Sequence, residues 1–339
     1  MHPKLPVYRS VWNEGKLSNS PSQWGKRMKA VVYRRFGGPE VLQYEEAPEP
    51  KPAEEGVLIA LKASALNVID IRSRDGLMFP FVSRKFPKIP GIDVAGIVVS
   101  SGAKARRFQP GDRVFGAGGA FQGGAFAERV VAPEAGLARI PEGVSFEAAA
   151  TLPTTGLAAL YALRELGGLK RGQRVLLHGG TGAAGLMAIQ IAKAMGAEVT
   201  SVSGASGLAL ARKMGADVAL DYRAAPVPLN GRYDVIVNFS SAFPFGPARR
   251  WLAERGRFVE ASPNIPKFIG SLIANPLRAQ KHLMLQTAAR TKDLDYLAHE
   301  VASGALKPTI AGVYPLSEAA TAFRKQEAGG VAGKLVLTV

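Results

Sequence analysis

The apolar run Val175-Leu176-Leu177-His178 leads without interruption into Gly179-Gly180-Thr181-Gly182-Ala183-Ala184-Gly185, and that cluster leads into the helix-like stretch from Leu186 to Met195. Strand, glycine turn and helix in this order form the first half of a βα unit. Gly180, Gly182 and Gly185 fall at the GxGxxG spacing. In that context the glycines allow a tight turn, a close backbone approach to a pyrophosphate and close helix packing, and the free N–H groups of the helix start attract the anion. The segment therefore predicts a dinucleotide-binding turn formed by Gly180, Thr181, Gly182, Ala183, Ala184 and Gly185. A plain tight turn between strand and helix is the alternative.

The next strand narrows the ligand. Glu198 to Ser203 reads as a strand, and an acidic residue at its end accepts hydrogen bonds from the ribose 2′-hydroxyl of NAD. Here Ser203 holds that place, followed by Gly204-Ala205-Ser206-Gly207. A carboxylate repels a 2′-phosphate, whereas Ser203 and Ser206 can donate to one. The expectation is NADPH over NADH, with loop and helix-cap roles for the two serines as the alternative.

Composition bounds the rest. The 339 residues are 47% hydrophobic and 21% charged, which suits a globular chain with room for two domains. No apolar run approaches the roughly 20 residues that span a bilayer. The complete absence of cysteine removes disulfides, thiolate nucleophiles and cysteine-held metals, and fits a cytoplasmic protein. The net charge of +16 raises nucleic-acid binding as a reading, but the basic residues are scattered as pairs such as Arg106-Arg107 and Arg249-Arg250, which points to a solvated surface.

Residues 1–27 are polar, contain three prolines and show no periodicity; they read as a flexible extension. Residues 28–147 carry short apolar runs broken by glycine and proline (Val57–Ala63, Val94–Ser100, Arg113–Phe115, Ala125–Val131), the pattern of a compact β-rich domain. Over 148–287 strand candidates alternate with helix candidates. The strands are Arg174–His178, Glu198–Val202, Val218–Leu220, Tyr233–Phe239, Arg257–Ala261 and His282–Gln286. The helices include Ala183–Met195, Leu208–Met214 and Phe245–Glu254. Such alternation predicts a doubly wound parallel sheet, an α/β architecture. Residues 288–339, with helices at Leu294–Ser303 and Ser317–Glu327 and a strand at Lys334–Val339, are too few for a domain and are expected to return to the first one.

From Met28 onward a series of motifs resembles the zinc-independent medium-chain dehydrogenase/reductases of the quinone oxidoreductase (ζ-crystallin-like) branch. They are Phe36-Gly37-Gly38-Pro39-Glu40-Val41-Leu42, Ala65-Leu66-Asn67-Val68-Ile69-Asp70, Pro90-Gly91-Ile92-Asp93-Val94-Ala95-Gly96 and Pro110-Gly111-Asp112-Arg113-Val114. Gly123-Gly124-Ala125-Phe126-Ala127-Glu128, the glycine turn, Asp221-Tyr222 and Gly333-Lys334-Leu335-Val336-Leu337 complete the series. The resemblance implies a GroES-like β-rich catalytic domain beside a Rossmann domain. It also implies reduction of a quinone or α,β-unsaturated carbonyl by NADPH, and a homodimer joined along the sheet edge near His282–Gln286. Zinc-using relatives carry Gly-His-Glu where this chain has Gly91-Ile92-Asp93, so no metal is expected. An electron-poor acceptor needs no Lewis acid to take a hydride.

By the same resemblance Asn67 lines the cleft near the nicotinamide, and Tyr222 approaches the adenosine 2′-phosphate. Phe239, Ser240 and Ser262, at strand ends, line the nicotinamide side, and Thr155 and Lys334 join the cofactor-binding set. Turn-capping for Asn67 and a half-buried strand-end role for Tyr222 are the bland alternatives, and Asp70 reads as structural. Gly207 stands where relatives place Lys or Arg, which passes the 2′-phosphate to Ser203, Ser206 and Arg212. Leu77, Met78, Phe79 and Phe81 are candidates for an apolar substrate wall. No proton donor is identified. A short-chain dehydrogenase is excluded because none of the eight tyrosines has Lys four residues on. A non-catalytic NADPH sensor or a basic nucleic-acid binder remains the rival from another class.

Overall fold

The computed structural model describes residues 26–78, 82–118, 123–224, 229–240, 242–261 and 265–339, with backbone only for 265–268. Six parallel strands form one sheet in the order Val218–Asp221, Glu198–Ser203, Arg174–His178, Tyr233–Asn238, Leu252–Glu260 and Lys281–Met284. Val175, Leu176 and Leu177 are wholly buried, as a strand covered by helices on both faces must be. The sequence runs outward from Arg174–His178 to one edge, then returns and runs to the other. The chain therefore reverses direction across the sheet beside that strand, and ligand crevices form there.

The second sheet has seven strands. Ile310–Pro315, Lys334–Thr338, Gly56–Ala65, Asp93–Ser101, Arg113–Ala117 and Leu137–Arg139 lie side by side, and Arg129–Pro133 pairs with Gly56–Ala65. All its pairings are antiparallel except that of Ile310–Pro315 with Lys334–Thr338. Burial alternates residue by residue along Ile310–Pro315, as it does in a strand with one wet face. The GroES-like and Rossmann-like sheets expected from the sequence are both present.

Three local differences have physical causes. The expected helix Phe245–Glu254 ends at Ala248, and a strand begins at Leu252, although Ala253-Glu254-Arg255 favours helix. Pairing of Leu252 with Tyr233, both buried, outweighs that local preference. A helical run covers 146–166, where Pro153 and Gly156 suggest a break. The chain accommodates them with π-helical turns at Leu152–Gly156 and Tyr161–Leu166. The strand Ile310–Pro315 is likewise illegible, because Gly312 and Pro315 read as turn residues.

The run over 146–166 joins the two sheets into one apolar core, in which Leu152 and Leu163 pack with Ala95 and Phe115 on one side and Leu177 and Leu186 on the other. Each such fully buried leucine contributes about 1.5–3 kcal/mol relative to an exposed one. The C-terminal segment is pinned to the same run. Asp293, in the helix Thr291–Ala302, accepts from the Tyr161 hydroxyl at 3.0 Å and from the Arg164 guanidinium at 2.5 Å. Burial, and next this bond, push the Tyr161 hydroxyl up to about 12. Asp293→Ala leaves the Tyr161 hydroxyl only the Ala288 carbonyl at 3.2 Å and takes one acceptor from Arg164, and is expected to cost about 1 kcal/mol. Urea denaturation reads this, and an unchanged midpoint would refute the anchoring role.

Candidate active site

The strand Arg174–His178 ends at Gly179, which turns at φ 81°, and Gly182 caps the helix Ala183–Ala194. The first helical bond runs from Leu186 N–H to the Gly182 carbonyl, so the N–H groups of Ala183, Ala184 and Gly185 have no partner within the helix. A Cβ on Gly185 would sit 2.5–2.6 Å from the Gly179 oxygen and the Gly180 backbone. The helix therefore rests directly on the turn, and its start can meet an anion.

Above the turn, at the C-terminal ends of the parallel strands, lies a cavity of about 720 Å³. One side is lined by Thr181, Ser203, Ser206, Tyr222 and Arg223, the other by His178, Leu229, Ser240 and Phe243, and the segment Gly330–Ala332 closes it. Of the expected residues, Thr181, Ser203, Ser206, Tyr222 and Ser240 meet here. Gly180, Gly182, Ala183, Ala184 and Gly185 form the turn and helix start beneath it. Gly207 abuts Thr181, 2.6 Å from the Thr181 hydroxyl to a notional Cβ, so a long basic side chain there would displace Thr181.

Several other expected residues lie off this cavity or outside the described residues. Arg212 turns away, donating to the Ala219 carbonyl at 3.3 Å. The cation on the cavity wall is Arg223, 5.4 Å from the centre of the Tyr222 ring. Its signal was its place directly after Asp221-Tyr222. Thr155 is buried and donates back to the Thr151 carbonyl at 2.5 Å, and Phe239 packs against the main core; neither lines the cavity. Lys334 is buried and lies off the cavity wall. Ser262, Phe79 and Phe81 lie outside the described residues; Leu77 is exposed and Met78 half-buried. His178 and Phe243 went unseen, because strand-end and loop residues carry no spacing that marks them.

Lys334 instead belongs to a buried polar cluster with Asn67, Asp93 and Thr154. Asp93 Oδ1 accepts from the Thr154 N–H at 3.0 Å and its hydroxyl at 2.6 Å. Asp93 Oδ2 accepts from Asn67 Nδ2 at 3.0 Å and lies 3.6 Å from Lys334 Nζ. Lys334 Nζ donates to Asn67 Oδ1, and Asn67 Nδ2 also donates to the Ala65 carbonyl at 3.0 Å. Every polar atom of the Asn67 side chain is thus engaged inside the protein, which makes it a framing group rather than a free amide in a cleft. Burial pushes Asp93 up and Lys334 down, and their mutual attraction opposes both shifts. Asp70 caps the next helix, accepting from the N–H of Asn67 at 2.8 Å and of Gly91 at 3.2 Å. Gly333, beside Lys334, bridges to Gly182 in the glycine turn, so cluster and turn are adjacent.

Comparison with known proteins gives concordant matches. Residues 53–142 match the family described as alcohol dehydrogenase GroES-like domain, and residues 214–337 the one described as zinc-binding dehydrogenase. A chloroplastic quinone-oxidoreductase of Triphysaria versicolor is 34% identical over 92% of this chain and 99% of its own. A chloroplastic NADPH-dependent alkenal/one oxidoreductase of Arabidopsis thaliana is 31% identical over 92% of this chain and 80% of its own. The quinone oxidoreductase structure from Coxiella burnetii superposes with a TM-score of 0.86 at 31% identity, covering 93% of this chain and all of that one. Despite the second family's description, the donors here do not fit zinc. Asp93 is committed to Thr154, Asn67 and Lys334, the chain has no cysteine, and no group of three His, Asp or Glu suited to a metal occurs among the described residues. No helix among them is long and apolar enough to cross a membrane.

Burial and, to a lesser degree, the Asp93 charge push Asp70 up to about 7, against the opposing Asn67 N–H bond. The unfolded carboxyl titrates near 3.9. The folded state therefore holds the extra proton between these values, and the stability it contributes is complete below about pH 4 and lost as the pH rises through about 7. The unfolding free energy of the wild type minus that of Asp70→Asn is expected to fall across that window and then level. A flat or rising difference would contradict the assignment.

Proposed function

Because the chain belongs to the medium-chain dehydrogenase/reductase family, in its quinone oxidoreductase branch, we propose that it transfers a hydride from NADPH to a quinone or an α,β-unsaturated carbonyl. The observation that carries this reading is the cavity at the strand ends. It joins a glycine turn with free helix N–H groups to a rim of Ser203, Ser206, Tyr222 and Arg223, with no carboxylate on its wall. The turn holds the pyrophosphate. The two serines and the Arg223 guanidinium receive the 2′-phosphate, and Tyr222 covers the adenosine.

NADPH, when bound, supplies the hydride. The protein's part is to bind, orient and exclude water, which lowers the barrier by fixing donor against acceptor. Asn67, held by Asp93 and Lys334, is a positioning residue in this reading: it fixes the start of the helix Val68–Arg74 on the nicotinamide side. The name of the alkenal/one relative and those of the quinone relatives support the two acceptor classes, both of which delocalise the incoming charge. The sheet-edge strand Lys281–Met284 is the proposed seam of a homodimer, and light scattering at the mass of one chain would refute it.

Anaerobic NADPH oxidation with a simple 1,4-quinone and a short enone in parallel tests the reaction. Turnover is expected with at least one acceptor; none with either, despite NADPH binding, would overturn the reading. Arg223→Ala is expected to raise the KM for NADPH about tenfold, the equivalent of roughly 1.4 kcal/mol, and to leave that for NADH unchanged. An equal rise for both cofactors would remove Arg223 from the 2′-phosphate site.

A further inference from the structure

A line of hydrogen bonds runs from the interior of the parallel sheet to the cavity wall, and its direction is fixed at the buried end. Glu260 and Asn238, which end neighbouring strands, are both buried. Asn238 Nδ2 donates to Glu260 Oε1 at 3.1 Å and to the Phe243 carbonyl at 3.0 Å. The Phe243 carbonyl only accepts, so the amide nitrogen must point at it and Asn238 Oδ1 must face the other way as an acceptor. Ser240 Oγ lies 3.1 Å from that oxygen and can give it its one proton. With the proton there, the Ser240 oxygen has only lone pairs to offer. It accepts from the Ala242 N–H at 3.1 Å and lies 2.6 Å from His178 Nδ1, so that this contact becomes a hydrogen bond when Nδ1 carries the ring proton.

We propose that Glu260, Asn238 and Ser240 lock His178 in its Nδ1–H tautomer, leaving Nε2 as an acceptor for a hydrogen-bond donor on the adenosine half of the bound dinucleotide. The proposal rests on the NADPH reading above. His178 lines the cavity, and its ring stacks on Phe243, 5.0 Å between centroids and 6° between planes, which favours this orientation of the imidazole. Burial lowers the His178 pKa, which keeps the ring neutral and Nε2 bare at neutral pH. A ring with the opposite tautomer would present a donor here; it would repel the ligand's amino N–H, and a ligand hydroxyl would have to accept instead of donate. The adenine 6-amino group and the one free hydroxyl of the adenosine ribose, at its 3′ position, are the donors available on that half of NADPH. Glu260 and Asn238 act through Ser240 and His178 and are positioning residues; Ser240 both lines the cavity and orients the ring.

Two measurements test this. A long-range proton–nitrogen correlation spectrum of the ligand-free protein, with His178 assigned by its loss in His178→Phe, is expected to show Nδ1 protonated and Nε2 bare. Ser240→Ala is expected to shift the ring toward Nε2–H. A wild-type ring already protonated at Nε2, or one unmoved by Ser240→Ala, would overturn the lock. In fluorescence titrations His178→Phe, which keeps an aromatic ring against Phe243, is expected to weaken NADPH binding about five- to tenfold, the worth of one hydrogen bond. Unchanged affinity would overturn the ligand contact. If the wild type binds deamino-NADPH as weakly as His178→Phe binds NADPH, the 6-amino group is the donor. If it binds both alike and His178→Phe weakens both, a ribose hydroxyl is. A wild type that binds no NADPH defeats the cofactor reading and the ligand half of this proposal with it, while the spectrum still decides the lock.

Discussion

The buried ammonium of Lys334 ties together segments that lie far apart in the chain. It lies between Asn67 and Asp93, and through them it touches the start of one helix, the start of one strand and the π-helical turn that carries Thr154. A carboxylate and an ammonium so deeply buried are costly to desolvate, and removing either strands the other. The expense is met by saturation: Asp93 receives two bonds from Thr154 and one from Asn67 as well as the charge. A network satisfied at every member specifies one arrangement of its segments, because each alternative leaves a buried polar atom bare.

Around that fixed point the two sheets divide the work. The parallel sheet brings its strand ends, its glycine turn and a helix start to one cavity, where backbone N–H groups meet an anion and side chains on the rim choose which anion. The antiparallel sheet supplies the ground beneath, and the Gly182–Gly333 bridge joins the two within one residue of Lys334. Rigid elements meeting in this way hold a ligand at a set distance from the residues opposite, which is the main service a hydride-transferring protein can perform.

What was legible in the amino-acid order follows the reach of the interactions involved. The strand Arg174–His178, the turn and the helix behind it are specified by neighbours, and the sequence marked them to within one residue, the helix ending at Ala194 and not Met195; the absence of a carboxylate at Ser203 was legible in the same way. Lys334 and Asn67 stand 267 positions apart, and nothing local to either says that one holds the other. Arg212 was the cation the sequence suggested; the Ala219 carbonyl takes its guanidinium, and Arg223, which carried no such mark, stands on the cavity wall. The helical run over 146–166 was hidden by Pro153 and Gly156, whose local meaning the packing around them overrides. The wall of Ser240, Phe243 and His178 was hidden because loop positions carry no period to read.

The place of the last strand also sets an order of assembly. Lys334–Thr338 lies between Ile310–Pro315 and Gly56–Ala65, so the sheet that Gly56–Ala65 begins stays open until Lys334–Thr338 has been made. The parallel sheet needs nothing beyond Met284 to pair its strands. During synthesis, the domain encoded second is the one whose sheet can close first. Asp93 meets its countercharge only after Lys334, far along the chain, has been made.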